Sequence, residues 1–476
     1  MIDEILINDG IGELRIALLH DEAVQEIRVE RDDRRSRVGD IVLGRVQRVV
    51  PPLRAAFVDL GFGRSGFLNA RDALIHARAK GRDLDPSAGV ERCVHEGEAV
   101  LVQIIKDGYG EKGPRVSAGI SLAGRTVALT PGEPGIRVSR RISDKAERDR
   151  LARAADAAIE NNTSLGAVVR TAAVGLDEAR LAAELASLTE AWTDIAAKAG
   201  VAAAPALMRR EAGLLGRVMR DIFTDTVKRV EVDTTDALQR VRHLANTLTP
   251  DIADRVTLYP GGAALFEDRG VEAEIEAALQ PRVPLERGAW LSIERTEGFT
   301  AIDVNAGGSV EGGSQSPSME INLEAAREIA RQVRLRSLSG LIVVDFIHVA
   351  AADDAARLTR ALESAFAADP VHTRISPMSE FGLTEITRRR EHEALADLLQ
   401  ATCAHCDGHG HVLSLDAEAQ AVLRWAQRAA IRPGGEIVVP VSGAVAGRLT
   451  AARGGASLLS RLEARIGRRV RLETTT

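Results

Sequence analysis

The chain has 476 residues, of which 45% are hydrophobic and 27% charged, and its formal net charge is −6. This length exceeds what one hydrophobic core supports, so we expect several domains of ordinary size in a soluble globular protein. Three cysteines are too few for a disulfide framework, and no apolar run is long enough to cross a bilayer. The acidic start, Met1 to Glu4, lacks the layout of a secretory signal, so the expected compartment is the cytoplasm.

The first predicted elements are strands. Two short strands are predicted between Ile5 and Val29. From Val38 the chain alternates short β-rich runs with Gly and Pro turns, which is typical of a small barrel. The segment Gly61-Phe62-Gly63-Arg64-Ser65-Gly66 matches a dinucleotide-binding fingerprint, but that fingerprint requires a helix directly after it. The glycines are therefore predicted to form turns of the barrel.

Three phenylalanines lie in the barrel segment of a chain that is only 3% aromatic: Phe57, Phe62 and Phe67. Aromatic rings on an OB-type sheet bind single-stranded nucleic acid, because bases stack on them at roughly 1–3 kcal/mol each while Lys and Arg contact the phosphates. The alternative is that the rings fill the barrel core. Core packing is favoured for Phe62, and both interpretations stay open for Phe57 and Phe67.

The later elements alternate helices and strands, as in an α/β protein. Helices are predicted at Ser143–Ile159, Leu176–Ala199, Asn322–Leu338, Ala351–Ala368, Ala417–Ala430 and, last, near Ala451 to Ile466. Strands are predicted at AVVRTAAVG, WLSIERTE, FTAIDVN, GLIVVDFI and EIVVPV.

Arginines cluster locally although the net charge of the chain is negative: Arg45, Arg48 and Arg54; Arg137, Arg140 and Arg141; and Arg388, Arg389 and Arg390. Such clusters are compatible with a basic groove for phosphates, although each is more often solvated surface.

Two carboxylates end apolar strands. Asp303 lies in TAIDVN and Asp345 in LIVVDF, at the strand ends where α/β sheets place ligand sites. Mg²⁺ accepts one or two carboxylates and keeps several waters, and a Mg²⁺ held in this way activates water and neutralises a phosphate. The alternative is a pair of capping aspartates, and the pattern alone does not exclude it.

Cys403 and Cys406 form a Cys-x-x-Cys pair among the glycines of CAHCDGHGH. A tetrahedral Cys₄ zinc site would need a second chain, whereas His409 or His411 could complete a Cys₂His₂ site within one chain. An idle pair of reduced thiols is a third, less favoured interpretation.

On these motifs, the chain resembles the catalytic half of the RNase E/G endoribonucleases over nearly its whole length. The similarity rests on AAFVDLG with GFL, ISLAG with SRRI, VRTA, TAIDVN, NLEAAREIARQ, GLIVVDFI and Cys-x-x-Cys-x-Gly-x-Gly. The tail ends soon after the last small domain, so the expected type is RNase G, without the long scaffold of RNase E.

The resemblance implies an α/β multidomain fold. It implies an RNase H-like structural domain (1–35 plus 215–279) with two insertions, an S1-type OB-fold barrel that binds RNA (36–117) and a 5′-sensor region (118–214). A DNase I-like catalytic domain (280–400), a zinc link (401–413) and a small dimerisation domain (414–476) follow.

The resemblance also implies the roles of individual residues. Asp303 and Asp345 would bind catalytic Mg²⁺, with Asn305 orienting the scissile phosphate. The implied RNA-binding residues are Phe57, Phe67, Lys112 and Arg141, and the implied pocket for a 5′-monophosphate is Gly124, Arg170 and Thr171. Cys403 and Cys406 would hold a structural Zn²⁺ shared between subunits. This implies a homodimer, and two such dimers could assemble into a homotetramer.

The implied function is Mg²⁺-dependent endonucleolytic cleavage of single-stranded RNA, stimulated by a 5′-monophosphate and leaving 5′-phosphate and 3′-hydroxyl ends. mRNA decay and rRNA or tRNA processing are the implied roles. The alternative is a catalytically weak RNA-binding protein of the same fold. Three departures from the family pattern bear on activity: Ala128 in the sensor, and Ala306 and His348 beside the acids.

Overall fold

The computed structural model describes residues 2–108, 112–159, 164–307, 315–452 and 455–474. The chain divides into two compact units, Met1–Leu398 and Leu399–Thr476. Within the described ranges, none of the helices combines the length and the apolar character that crossing a membrane requires.

The first unit begins with mostly β structure: β1 (Glu4–Gly10), β2 (Glu13–His20), β3 (Ala23–Arg31), β4 (Ile41–Val50), β5 (Ala55–Asp59), β6 (Gly66–Asn69), α1 (Ala70–Ala79), α2 (Val90–Cys93), β7 (Ala99–Lys106) and β8 (Arg115–Ser117). Next come β9 (Leu122–Ala123), β10 (Val127–Pro131), β11 (Gly135–Val138), α3 (Lys145–Ile159), β12 (Leu165–Val169), α4 (Glu178–Val201) and β13 (Ala206–Arg209).

The rest of the chain alternates helices and strands: α5 (Leu214–Asp221), β14 (Arg229–Val232), α6 (Thr235–Leu248), β15 (Val256–Leu258), α7 (Leu265–Asp268), α8 (Val271–Ala278), β16 (Arg282–Pro284), β17 (Trp290–Arg295), β18 (Thr300–Asn305), α9 (Gln315–Leu335), β19 (Gly340–Asp345), α10 (Ala352–Phe366), β20 (Thr373–Ile375), β21 (Leu383–Arg388) and α11 (Leu395–Leu399). The second unit contains α12 (Leu415–Ala429), β22 (Ile437–Val441), α13 (Gly443–Thr450), α14 (Leu458–Ile466) and β23 (Val470–Thr474).

The N-terminal strands join two later ones in a sheet of order β15-β14-β1-β2-β3, with β1 parallel to β14. The prediction of two strands before residue 30 is wrong, because the structure has three. Asp21 and Glu22, with φ of 47° and 64°, form the turn that separates β2 from β3. Two successive positive φ angles match the twist of a tight hairpin, so the chain reverses there.

The predicted barrel is confirmed. Strands β4, β5, β6, β8 and β7 pair in that order, and β4 closes the barrel by pairing with β7. The glycine-rich segment 61–66 joins β5 to β6, with φ of 78° at Gly61 and 55° at Gly63. The glycines are therefore barrel turns, as predicted, since left-handed backbone favours glycine.

A third sheet, β11-β12-β10-β9, packs against α3 and α4. The helices close one core with it, through residues such as Leu129, Ala167, Leu151 and Leu185, all at most 1% exposed.

The fourth sheet has the order β16-β17-β18-β19-β21-β20. One face packs on α9 and α10 around Ile302, Val304, Ile342 and Val344, which are 0–5% exposed. Because side chains alternate along a strand, the residues between them project from the opposite face. That face carries polar side chains that are exposed, and we call it the open face.

The second unit is built on the parallel pair β22 and β23. The last helix, predicted near Ala451 to Ile466, is wrong in its start, since α14 begins at Leu458, and the preceding α13 was not predicted. Each begins at its own serine: the side chain of Ser442 accepts the N–H of Val445, and that of Ser457 accepts the N–H of Ser460. Separate N-caps specify separate helices.

Candidate functional site

The two predicted acids are strand partners. Asp303 of β18 lies directly opposite Asp345 of β19 in a parallel pair, so their Cα atoms are about 5 Å apart. Both side chains are exposed on the open face, while their neighbours Ile302 and Val344 are buried. The sequence places each acid near a strand end, and the fold brings the two together.

Two asparagines order the surroundings of this pair. Asn305 donates from Nδ2 to Oδ2 of Asp303 at 2.9 Å, which fixes the orientation of that carboxylate. Asn322 of α9 is completely buried, and its amide donates to the carbonyl of Ile347 at 2.8 Å and accepts its N–H at 3.0 Å. This amide holds the segment that directly follows Asp345. Sequence reasoning treated Asn322 only as the first residue of a helix, although it lies in the quoted NLEAAREIARQ motif.

The donor set of the acid pair fits Mg²⁺. Among the described residues, neither acid belongs to a group of three or more closely spaced His, Cys, Asp or Glu ligand atoms. Two adjacent carboxylates with open solvent around them suit Mg²⁺, which binds through one or two carboxylates and keeps several waters. An exposed pair also leaves coordination positions for a phosphate oxygen.

The barrel presents an aromatic pair on its outer surface. Phe57 and Phe67 are register partners on β5 and β6, with ring centroids 6.0 Å apart and planes at 79°. Both are half-buried, while the residues beside them, Val58 and Leu68, are 0% exposed and fill the core. The guanidinium of Arg48 lies 6.0 Å from the Phe57 ring. Core filling is thus wrong for both rings.

Phe62 packs against the barrel core, as predicted, and Arg37 stacks on its ring at 3.7 Å. Lys112 is exposed, three residues before Arg115, the strand partner of Phe67. Arg141 is also exposed, and its N–H donates to Ser139 Oγ at 3.3 Å.

The predicted sensor residues lie together. Arg170 follows β12 directly, and the hydroxyl of Thr171 is 3.2 Å from that of Ser139. The Arg170 N–H donates to the carbonyl of Thr126 at 2.7 Å, which ties Arg170 to the loop that contains Gly124.

Gly124 is required by close packing. A Cβ there would lie 2.3 Å from Glu184 Oε1 and 2.6 Å from the carbonyl of Val127. Glu184 of α4 accepts hydrogen bonds from the N–H groups of Arg125 and Thr126. Any larger residue at 124 would displace this carboxylate and the loop wrapped around it.

Asp221 is a member of this pocket that the sequence did not reveal. Its Oδ1 accepts a hydrogen bond from Arg170 Nη1 at 2.7 Å, and Arg220 contacts the same carboxylate at 3.1 and 3.0 Å. Burial alone would raise the pKa of Asp221, but Arg220 and Arg170 outweigh it and lower the pKa. The carboxylate is therefore ionised at neutral pH and occupies a position on Arg170 that a phosphate could take.

In the second unit, Cys403 is exposed and Cys406 half-buried, in a turn with positive φ at Asp407, Gly408 and Gly410. The N–H groups of Cys406 and His405 lower the pKa of the Cys403 thiol, which favours the thiolate that binds zinc. In the part of the chain that the structure describes, Asp3, His20 and Asp21 are the one group of three ligands within 4.8 Å of one another. The shared Cys₄ site and the single-chain Cys₂His₂ site both stay predictions.

These features define a mixed α/β protein that combines a closed barrel with an outward-facing aromatic pair and a sheet with two neighbouring carboxylates. The Ribonuclease E/G family model matches residues 121–391. Ribonuclease G of Escherichia coli (strain K12) is 33% identical over 428 residues, which cover 89% of this chain and 87% of that protein. Ribonuclease G of Haemophilus influenzae is 30% identical over 476 residues, 99% of this chain and 96% of that protein. Ribonuclease E of Nostoc sp. is 35% identical over 409 residues, 85% of this chain and 58% of that protein.

The chain therefore belongs to the Ribonuclease E/G family. This confirms the resemblance that the sequence motifs indicate.

Proposed function

We propose that this protein is a Mg²⁺-dependent endoribonuclease that cleaves single-stranded RNA and leaves 5′-phosphate and 3′-hydroxyl ends. The observation that carries the proposal is the in-register pair Asp303 and Asp345 on the open face, with Asn305 bonded to Asp303, in a chain of the Ribonuclease E/G family. We further infer roles in mRNA decay and in rRNA or tRNA processing in the cytoplasm.

Each group of residues has its own role in the proposed reaction. Asp303 and Asp345 would hold Mg²⁺, which would supply an activated water and neutralise charge on the scissile phosphate. Asn305 fixes one carboxylate and orients the phosphate beside it. Phe57 and Phe67 stack bases, and the nearby cations Lys112 and Arg141 contact the backbone.

The pocket of Gly124, Arg170 and Thr171 serves as the sensor of a 5′-monophosphate. A guanidinium fork and a hydroxyl suit a phosphate dianion, because charge-assisted hydrogen bonds are short and strong. A bound 5′ end would raise the cleavage rate by holding the RNA in place for the acid pair.

The family relationship supports the domain division predicted above. The sheet that joins β1–β3 to β14 and β15 is composed of segments from 1–35 and 215–279, the two pieces assigned to the RNase H-like domain. The barrel corresponds to the S1-type domain and the sheet with the acids to the DNase I-like domain.

We infer that Cys403 and Cys406 bind a Zn²⁺ shared by two subunits of a homodimer. Two sulfur ligands occupy half of a tetrahedral site. A second pair of cysteines from another chain would complete a Cys₄ site, as the resemblance to the family implies.

The test is cleavage of a short A/U-rich single strand with Mg²⁺ and with EDTA. Asp303→Asn and Asp345→Asn each remove a charge that retains Mg²⁺ and change little in shape, so cleavage should fall by orders of magnitude while RNA binding survives. Asp194→Asn, an exposed position on α4, is the matched control and should retain full activity. Near-normal turnover in either folded variant would rule out the proposed site, and binding without cleavage in the unmodified protein would favour the catalytically weak RNA-binding protein.

A further inference from the structure

A cavity of about 780 Å³ lies in the first unit, and neither Asp303 nor Asp345 lines it. Its wall is formed by β3, the start of α5, the end of β7, and the segments 337–339 and 389–398. None of the residues assigned above to the acid pair, the aromatic pair or the sensor pocket lines it. Its size lies within the range of ligand pockets, roughly 300–1,000 Å³.

The lining has an excess of positive charge. Eight of the lining side chains are Arg or Lys and five are Asp or Glu, a surplus of three positive charges in a chain whose net charge is −6. The Arg388–Arg390 cluster explains part of this surplus. Arg388 is buried in an ion pair with Asp369 at 2.7 Å, whereas Arg389 and Arg390 line the cavity.

Most cations of the wall lie near a carboxylate, but the side chain of Arg389 does not contact one among the described residues. Arg389 is exposed, and its side chain has no hydrogen bond or ion pair with another described residue. Arg35 donates to the carbonyl of Glu211 at 2.6 Å, and its positive charge interacts with the carboxylate of Asp40. Arg295 pairs with Asp397 through two contacts of 2.8 and 3.0 Å. Arg28 and Arg217 are also paired, with Glu26 at 2.7 Å and with Glu30 at 3.5 Å. Arg389 therefore contributes a positive charge that no described carboxylate contacts.

Apolar residues also line the cavity: Ile27, Val29, Ile105, Leu214 and Leu338. A ligand with a flat apolar body and an anionic group would match a lining that holds both apolar and cationic side chains. Arginine guanidinium groups favour phosphate, because their planar fork donates two parallel hydrogen bonds to it.

One histidine, His392, lines the cavity. Desolvation by the surrounding protein, followed by the positive charge of Arg28, lowers the pKa of His392 to about 4. The ring is therefore neutral at physiological pH and offers a hydrogen-bond donor and an acceptor to a base or a sugar.

We propose that this cavity binds a nucleotide through its phosphate, either as a free nucleotide or as one residue of an RNA chain. The site is separate from the proposed cleavage site and from the sensor pocket. It requires neither Mg²⁺ nor catalysis, so it can be tested independently of both.

The experiment is calorimetric titration of the full chain with AMP in EDTA. AMP also carries a 5′-monophosphate that the sensor could bind, so the titration uses the Arg170→Ala protein as its baseline. We expect AMP to bind this protein and adenosine not to bind. Adding Arg389→Ala should weaken AMP binding by about tenfold or more, the size expected for the loss of a charged contact. Because Arg389 has no described partner, its replacement should leave the thermal unfolding temperature unchanged.

The matched control is Arg357→Ala, which removes an exposed arginine of α10 that does not line the cavity and should leave the AMP affinity unchanged. A short 5′-hydroxyl oligonucleotide distinguishes the two sources: displacement of AMP supports a residue of an RNA chain, and no displacement supports a free nucleotide. The proposal is overturned if the Arg170→Ala protein does not bind AMP, or if Arg389→Ala leaves its affinity unaltered.

Discussion

Replacing Asp221 by asparagine is expected to increase the preference of the protein for RNA with a 5′-monophosphate. Arg170 Nη1 donates to Asp221 Oδ1 at 2.7 Å, and Arg220 contacts the same carboxylate. A terminal phosphate that binds Arg170 must compete with this carboxylate and lies close to its negative charge. An asparagine keeps the shape and a hydrogen-bond acceptor but removes that charge.

The magnitude follows from the exposure of the pair. The side chains of Arg170 and Asp221 are 32% and 37% exposed. Solvent-exposed ion pairs are worth up to about 1 kcal/mol, and hydrogen bonds to charged groups about 1.5–3 kcal/mol. For this partly exposed pair, loss of the ion pair with Asp221 should strengthen binding of the 5′-phosphate by about 0.5–1.5 kcal/mol. That corresponds to a roughly two- to tenfold gain in affinity. Because the pKa of Asp221 is lowered, the competition persists at neutral pH and disappears only as the pH falls through that lowered pKa.

The assay compares cleavage of one oligonucleotide with a 5′-monophosphate and with a 5′-hydroxyl. The ratio of the two rates should rise two- to tenfold in Asp221→Asn and approach one in Arg170→Ala. Asp225→Asn is the control, since Asp225 is an exposed carboxylate of the same region and should leave the ratio unchanged. A ratio that falls in Asp221→Asn would refute the reasoning and show that Asp221 positions Arg170 for the phosphate. Equal rates on both 5′ ends in the unmodified protein would show that the pocket is not a sensor, with Ala128 as the first residue to examine.

Three further predictions follow from other parts of the structure. Phe67→Ala removes one ring of the outer aromatic pair, so the KM for RNA cleavage should rise roughly five- to hundredfold with unchanged thermal unfolding; an unchanged KM would exclude stacking on Phe57 and Phe67. Native mass spectrometry with metal analysis should find half a zinc per chain, and Cys403→Ser should release the zinc and weaken the dimer together; one zinc per chain would contradict the shared site. Asp369→Ala leaves the buried guanidinium of Arg388 without its partner, so urea unfolding should show a loss of about 3–5 kcal/mol; a loss below about 1 kcal/mol would mean that the pair does not stabilise the fold.

The sequence predicts the parts of the acid site that depend on local pattern. Apolar runs that end in aspartate specify the strands and place Asp303 and Asp345 near strand ends. The pairing of β18 with β19 does not follow from local pattern, because α9 separates the two strands along the chain. The register that sets the acids side by side depends on how that helix packs on the sheet. The assignment of both acids to one site therefore came from the family motifs and not from local pattern.

The contacts that sequence reasoning missed are long-range or depend on exact backbone geometry. Asp221 meets Arg170 across 51 positions of sequence, and its location at the end of α5 carries no local signal of an ion pair. The presence of α13 and the start of α14 were open to prediction, since Ser442 and Ser457 are both good N-caps. The turn at Asp21 and Glu22 was harder to predict, because positive φ at two charged residues is uncommon.

The core packing of the acid-bearing sheet determines which residues of β18 lie on the open face. Asp303 is flanked by Ile302 and Val304, which are 1% and 5% exposed. A slip of one residue in β18 would move the carboxylate into the core and the apolar side chains into water, and a buried unpaired carboxylate is strongly unfavourable. The packing of α9 and α10 therefore holds the acid in place without touching it, while Asn322 pins the segment after Asp345 from the same side. It follows that substitutions in this core can reduce cleavage by altering the spacing of the two carboxylates, even where both acids are intact.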